Sequence, residues 1–294
     1  MSRQKQTPDN TAPVRFSVVI PTLGGAQISR TIEQINQGSV RPHEILVCIP
    51  EAEAHRVAGL PFDNVRIVPT PVRGQVAQRA FGFAQVESSL VMQLDDDIML
   101  DHDAVATLLS ALTALGPGHI VGPVLYNVET GAPLSTIDTG FKGFVINVYE
   151  SLIRGLPWGK RRMGALSDIG GCGSVDPRLC DEALVSTEWL PGGCSVSYRD
   201  ELVLDAFFPY PGKAFSEDVL HSTLRTRKGI VHHVAVRAKA TIQPPERGVT
   251  RYSALAEIRA RQYAARMLGG NPVRAYLASV LDILRRQIAA LLAR

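Results

Sequence analysis

Leu90-Val-Met-Gln-Leu94-Asp95-Asp96-Asp97-Ile98-Met99 is the stretch on which the reading of this chain turns. Leu90 to Leu94 makes a short buried strand, and three consecutive carboxylates follow it directly. Carboxylates crowded at the end of an apolar strand repel one another unless a cation sits among them. Hard divalent ions such as Mg²⁺ or Mn²⁺ take carboxylate oxygens together with substrate phosphates, so the triplet reads as a metal–diphosphate site. A plain acidic turn capping the helix that begins near Asp101 fits the same residues.

Outward from this strand, β-branched runs alternate with helical patterns. Phe16 to Ile20 is a strand ended by Pro21, and Ala26 to Gln37 a helix stopped by Gly38. Ile45 to Ile49 and Val65 to Val68 are further strands, and Gln75 to Val86 a helix. Downstream, Val105, Leu108, Leu109, Leu112 and Leu115 share one helix face. This alternation predicts an α/β domain with a mostly parallel (mixed) central sheet flanked by helices. Ligands of such sheets bind at the carboxyl ends of strands, which brings Pro21 and Thr22 to the same edge as the acidic triplet.

Composition narrows the field. The chain has 294 residues, 45% hydrophobic and 20% charged, which excludes wholesale disorder and supplies a full-sized core. Net charge is only +3, too close to neutral for an obligate nucleic-acid binder. From Arg247 to Arg294, however, nine arginines face two acids, Glu257 and Asp282, so this end carries +7 and the remainder −4. Four cysteines, Cys48, Cys172, Cys180 and Cys194, lack metal-type spacing and the density of a disulfide scaffold. The polar residues 1–13 read as a disordered leader without a signal peptide, and no apolar run is long enough to span a membrane. The expected setting is cytoplasmic, either in solution or on the cytoplasmic face of the inner membrane.

Three more segments carry chemistry. Trp189-Leu-Pro-Gly-Gly193-Cys194 sets paired glycines before a strand, where a ligand can approach the backbone closely. Tyr198-Arg199-Asp200 then reads as the opening of a helix. Phe215-Ser216-Glu217-Asp218 opens another that ends at Gly229, with Ser216 as N-cap and two acids at its positive end. One of those acids, held toward a cleft, would serve as a general base.

The order of these islands resembles that of the family-2 glycosyltransferases, inverting enzymes with the GT-A fold, over about Val18 to Ile242. The resemblance implies that Pro21 and Thr22 border a nucleotide pocket, and that Arg79, in Arg73-Gly-Gln-Val-Ala-Gln-Arg-Ala-Phe-Gly82, lies near the diphosphate. Asp95 and Asp97 would be the carboxylates of the DxD motif, Asp97 the direct ligand of Mg²⁺ or Mn²⁺. Asp95 or Asp96 would be nearer the ribose and sugar, Gly192 and Gly193 near the donor sugar, and Asp218, beside Glu217, the base. The chain departs from the pattern in three places. The family's Asn after the Arg is Ala80, Glu51 or Glu53 must stand for the acid after the second strand, and residues 240–243 lack the late metal-binding His. His232 and His233 come earlier and, as strand neighbours, are expected on opposite faces, one in the core and one exposed. His221, one turn after Asp218, is a further candidate to touch the site.

The implied organisation is a donor-binding half over residues 14–130, an irregular insertion or lid over 131–187, an acceptor-side half over 188–245 and a helical extension over 246–294. The implied partners are a nucleotide-diphosphate sugar and a glycan or lipid-linked acceptor of envelope polysaccharide or lipopolysaccharide synthesis. Two other readings compete. One is a non-catalytic nucleotide-sugar-binding subunit, given the missing acid and His. The other is a haloacid-dehalogenase-like phosphatase using Asp95 and Asp97, although that family has Thr or Val where this chain has Met99. In the last helix, Tyr276, Leu277, Val280, Leu281, Leu284, Ile288 and Leu291 form one stripe. It fits a core face, a homo-oligomer face or, with the arginine surplus and the basic run Lys160-Arg161-Arg162, an anionic membrane surface.

Overall fold

The computed structural model describes residues 14–243 and 251–292; the expected leader lies outside them. In chain order the elements are β1 (Phe16–Pro21), α1 (Ile28–Asn36), β2 (Glu44–Pro50), β3 (Val65–Thr70), α2 (Gln75–Phe83), β4 (Leu90–Leu94), β5 (Met99–Leu100), α3 (Ala104–Leu115) and β6 (His119–Asn127). There follow α4 (Gly140–Leu152), β7 (Leu184–Thr187), β8 (Cys194–Tyr198), α5 (Glu217–Arg227), β9 (Val231–Ile242), α6 (Arg251–Met267) and α7 (Pro272–Leu292).

One sheet organises them, in the order β3-β2-β1-β4-β8-β6-β9-β5, with β7 also on β9. The half from β3 to β4 is wholly parallel. Beyond β4 the pairings are antiparallel except for β6 with β9, so the sheet is mixed, as the alternation of strands and helices predicts.

Alternation along the strands explains why the parallel half needs helices on both faces. Val18, Ile20, Ile45 and Val47 turn to one side, against Ile32 of α1 and Leu108 of α3. Val19, Leu46 and Cys48 turn to the other, against Phe83 of α2. Each such side chain, fully buried, contributes roughly 1.5–3 kcal/mol.

The structure corrects three local expectations. Tyr198-Arg199-Asp200 does not open an α-helix; Arg199–Glu201 is a single 3₁₀ turn. His232 and His233 are both covered, at 1% and 9% exposure, because β9 lies between β6 and β7 and packing covers both sheet faces. The ring of His233 meets that of His119 at 2.9 Å between nitrogens. Ser216 precedes α5 but makes no capping bond, and its backbone is left-handed at φ 57°. No helix among the described residues is long and apolar enough to cross a membrane.

Candidate functional site

The site lies where β1 and β4 end side by side and β8 begins. Strand β4 carries its chain into the acidic triplet, and the Thr22 hydroxyl just after β1 donates to the Asp96 carboxylate. Because β8 runs antiparallel to β4, the glycine pair before it sits against the same carboxylates. The Asp95 N–H donates to the Gly193 carbonyl at 2.8 Å.

Helix α2 supplies the framework. Buried Gln78 donates to the carbonyls of Thr22 and Cys48, both at 2.7 Å, tying the ends of β1 and β2 to the helix. One residue on, Arg79 is 2% exposed and spans the site. Its Nη2 donates to Asp95 Oδ1 at 2.9 Å, and its Nη1 to Glu217 Oε2 at 3.0 Å and Oε1 at 3.2 Å. Burial opposes this charge, but the two carboxylates hold the guanidinium pKa above its ordinary value. Gln75, one turn earlier, also donates to Asp95 Oδ1 at 2.9 Å.

Gly192 and Gly193 are required by space. A side chain at Gly192 would press on the Glu217 carboxyl, with its Cδ at 3.0 Å, and one at Gly193 would collide with Ile98 and lie 3.3 Å from Asp95 Oδ2. The Gly192 carbonyl accepts from Gln93 Nε2, and Gln93 Oε1 in turn accepts from buried Arg225 at 3.1 Å. The structure thus brings Pro21, Thr22, Arg79, Asp95, Asp96, Asp97, Gly192, Gly193, Glu217 and Asp218 to one edge of the sheet. Glu51 is not brought in. It is exposed at the head of the 3₁₀ turn Glu51–Arg56, while neighbouring Glu53 pairs with Arg73 at 3.0 Å. His221 is 2% exposed and packs on the Phe207 ring; burial, then Arg225 and Arg79, push its pKa well down and keep it neutral.

Two carboxylates differ from their neighbours. Asp97 is exposed, and no side chain among the described residues bonds to it or pairs with it. Partial burial, then the charges of Asp95 and Asp96, raise its pKa; burial foremost also raises that of Asp96. Asp218 is half-buried. Burial, then the neighbouring Glu217 carboxylate, push it up to about 7. Asp218 lines a cavity of about 270 Å³ whose other walls include Leu134, Val175, Trp189 and Pro191.

The arrangement fits a divalent cation that brings most of its own ligands. No group of three or more His, Cys, Asp or Glu among the described residues forms a protein-only cage. Asp97 offers a hard oxygen donor, and burial together with the neighbouring carboxylates raises the pKa values of Asp96 and Asp97, against weaker opposing contributions from Thr22 and Lys213. A cation bound partly by diphosphate needs only one or two such carboxylates.

No protein-family model and no curated protein matches the sequence. Among solved structures, the chain is similar to GalNAc-T7 crystallised with UDP, GalNAc and Mn²⁺, at 15% identity and a TM-score of 0.60. The match covers 85% of this chain and 48% of that one, so this chain spans about half its length. It is also similar to residues 1–349 of S. aureus TarS, at 12% identity and a TM-score of 0.49, over 94% of this chain and 72% of that one. The likeness to GalNAc-T7 shows that this chain has a GT-A-type fold.

Proposed function

We propose that this chain is a metal-dependent inverting glycosyltransferase. It would move a sugar from a nucleotide-diphosphate donor to a hydroxyl of a glycan or glycolipid acceptor. The observation that carries the reading is the Arg79 bridge. It joins Asp95 to Glu217, residues 122 positions apart, and so closes donor-side and base-side motifs into one cleft.

Each residue then has a physical role. Asp97, with Asp95 beside it, would hold Mg²⁺ or Mn²⁺; the ion supplies neutralisation of the leaving diphosphate. Thr22 and Asp96 shape the donor pocket at the end of β1, and Gly192 and Gly193 let Glu217 and Asp95 pack closely against the backbone beside it. Glu217 is held by Arg79 and anchors the helix start. Asp218, not bonded to Arg79 and lining the cavity, would take the proton from the acceptor hydroxyl as that oxygen attacks the anomeric carbon and the diphosphate departs. A single free carboxylate here, with its neighbour committed to Arg79, supports displacement in one step with inversion.

The GalNAc-T7 structure holds UDP, GalNAc and Mn²⁺, which supports a nucleotide-sugar donor and a divalent ion for this chain. The working place we propose is the cytoplasmic side of a membrane, with an acceptor belonging to envelope polysaccharide or lipopolysaccharide synthesis. Release of nucleoside diphosphate from a panel of nucleotide sugars, with Mn²⁺ or with EDTA, tests the reading. Turnover of one donor that requires the ion supports it. Turnover that survives both EDTA and Asp97→Ala contradicts it.

A further inference from the structure

The large apolar side chains of α7 point the wrong way for a soluble helix. Its inner face is mostly small or polar: Ala275 and Ala278 are buried beside Ala265 of α6, with Ser279, Asp282 and the single large apolar residue Ile283. Outside, Val273, Leu277, Leu281, Leu284, Ile288 and Leu291 are between 42% and 68% exposed. Helix α4 does the same. Phe141, Phe144, Val145 and Leu152, at i, i+3, i+4 and i+11, form one stripe exposed by 50% or more, Phe141 by 83%. Trp158, 48% exposed, stands edge-on to Phe144 at 5.6 Å.

The two helices touch. Arg274 donates to the Leu152 carbonyl at 3.4 Å, the Tyr149 hydroxyl donates to Asp282, and the Arg285 guanidinium lies over the Tyr149 ring at 5.4 Å. Pairing Leu152 with Arg274 and Tyr149 with Asp282 sets them antiparallel. Nothing among the described residues covers the outer stripes. Isolated exposed leucines are ordinary, but two contiguous stripes with aromatics mark a docking surface.

Charge selects the occupant. Exposed Lys160, Arg161 and Arg285 lie beside these helices, while Lys142 and Arg274 pair with Asp138 at 3.0 Å and Asp168 at 3.9 Å. A second copy packed on this face by two-fold symmetry would bring those cations toward their own equivalents. An anionic lipid surface would complement them. We propose that α4 and α7 form a monotopic docking face that seats the protein on an anionic bilayer, Phe141, Phe144, Leu277 and Leu284 entering the interface while the basic side chains meet the headgroups. The docking rests on these two helices alone. Its purpose rests on the transferase reading: residues 134 and 135, which line the cavity beside Asp218, lead into α4 within five residues, so a docked protein would present that cavity near lipid-borne hydroxyls.

Cosedimentation of the full chain with vesicles tests this without donor or acceptor. Phosphatidylglycerol–phosphatidylcholine vesicles at low salt should pellet the protein, whereas high salt or pure phosphatidylcholine should weaken binding about tenfold or more. The double variants Phe141→Glu/Phe144→Glu, Leu277→Glu/Leu284→Glu and Lys160→Glu/Arg161→Glu should each reduce partitioning by about tenfold or more. All six side chains are exposed, so melting temperatures should stay near wild type. Absence of pelleting with the anionic vesicles at low salt overturns the proposal. So does a dimer in light scattering that Leu277→Glu/Leu284→Glu splits while wild type ignores vesicles. Vesicle binding together with no turnover of any nucleotide sugar would leave the docking standing and fail the transferase reading alone.

Discussion

Glu217 and Asp218 are neighbours in sequence with different partners. Arg79 bonds to Glu217 and not to Asp218; burial foremost raises both carboxyls, pushing Asp218 up to about 7. If Asp218 is the base, transfer must rise with pH through about 7 and level above it, as the ionised form accumulates. Asp218→Asn should lower kcat at least about 100-fold while leaving nucleoside-diphosphate binding intact. The same shift has a stability consequence of fixed sign. The folded pKa lies above the ordinary value of 3.8, so ionisation penalises the folded state, increasingly from about pH 4 and fully above about 7. Asp218→Asn should therefore melt higher than wild type at pH 8, with the gap shrinking toward pH 4. A gap that widens on acidification would exclude the raised pKa. Arg79 fails differently: Arg79→Met leaves Glu217 and Asp95 without their buried partner and should cost about 3–5 kcal/mol in chemical denaturation.

The elements show what a sequence discloses and what it hides. The parallel strands were legible because β1, β2 and β4 are mostly apolar, interrupted only by Ser17, Glu44 and Gln93, and lie under helices on both faces. Strand β6 was not, because Gly122 and Pro123 interrupt its apolar pattern. Both have structural reasons. A side chain on Gly122 would meet Leu190 at 3.1 Å and the Cys194 carbonyl at 3.3 Å, and between Pro123 and Val124 the register with β9 jumps from Ala235 to Lys239. That irregularity shapes the wall of the cavity beside Asp218. Gly122→Val should accordingly destabilise the fold by about 1–3 kcal/mol, measurable as a lower denaturation midpoint at unchanged slope. In the site, the acidic triplet, the glycine pair and the Glu-Asp start were readable as motifs. Their supports, Gln75, Gln78, Gln93 and Arg225, were not, since nothing in a glutamine's neighbours announces which distant carbonyl or carboxylate it will meet. The α7 stripe was visible as a stripe, but periodicity does not say whether it turns inward; the small residues opposite it, Ala275, Ala278 and Ser279, were the available signal.

At the scale of the whole molecule, one half of the sheet holds the ends of β1 and β4, and the other half delivers the glycine pair and α5 to them. In the proposed reaction this shared edge would bind a nucleoside diphosphate through a divalent ion on Asp97. Ion affinity should weaken as pH falls through the raised pKa values of Asp96 and Asp97, because protons compete for the same oxygens. The most direct test is the melting temperature of the full chain against each nucleoside diphosphate, with and without Mn²⁺, alongside Asp97→Asn. A ligand near 100 times its Kd adds about 2.7 kcal/mol to the folded state, roughly 5 °C for a chain of this size. The account predicts such a rise with at least one nucleoside diphosphate, only when Mn²⁺ is present, and none in Asp97→Asn. A melting temperature unmoved by every nucleoside diphosphate with Mn²⁺, or a rise that Asp97→Asn leaves intact, would contradict it.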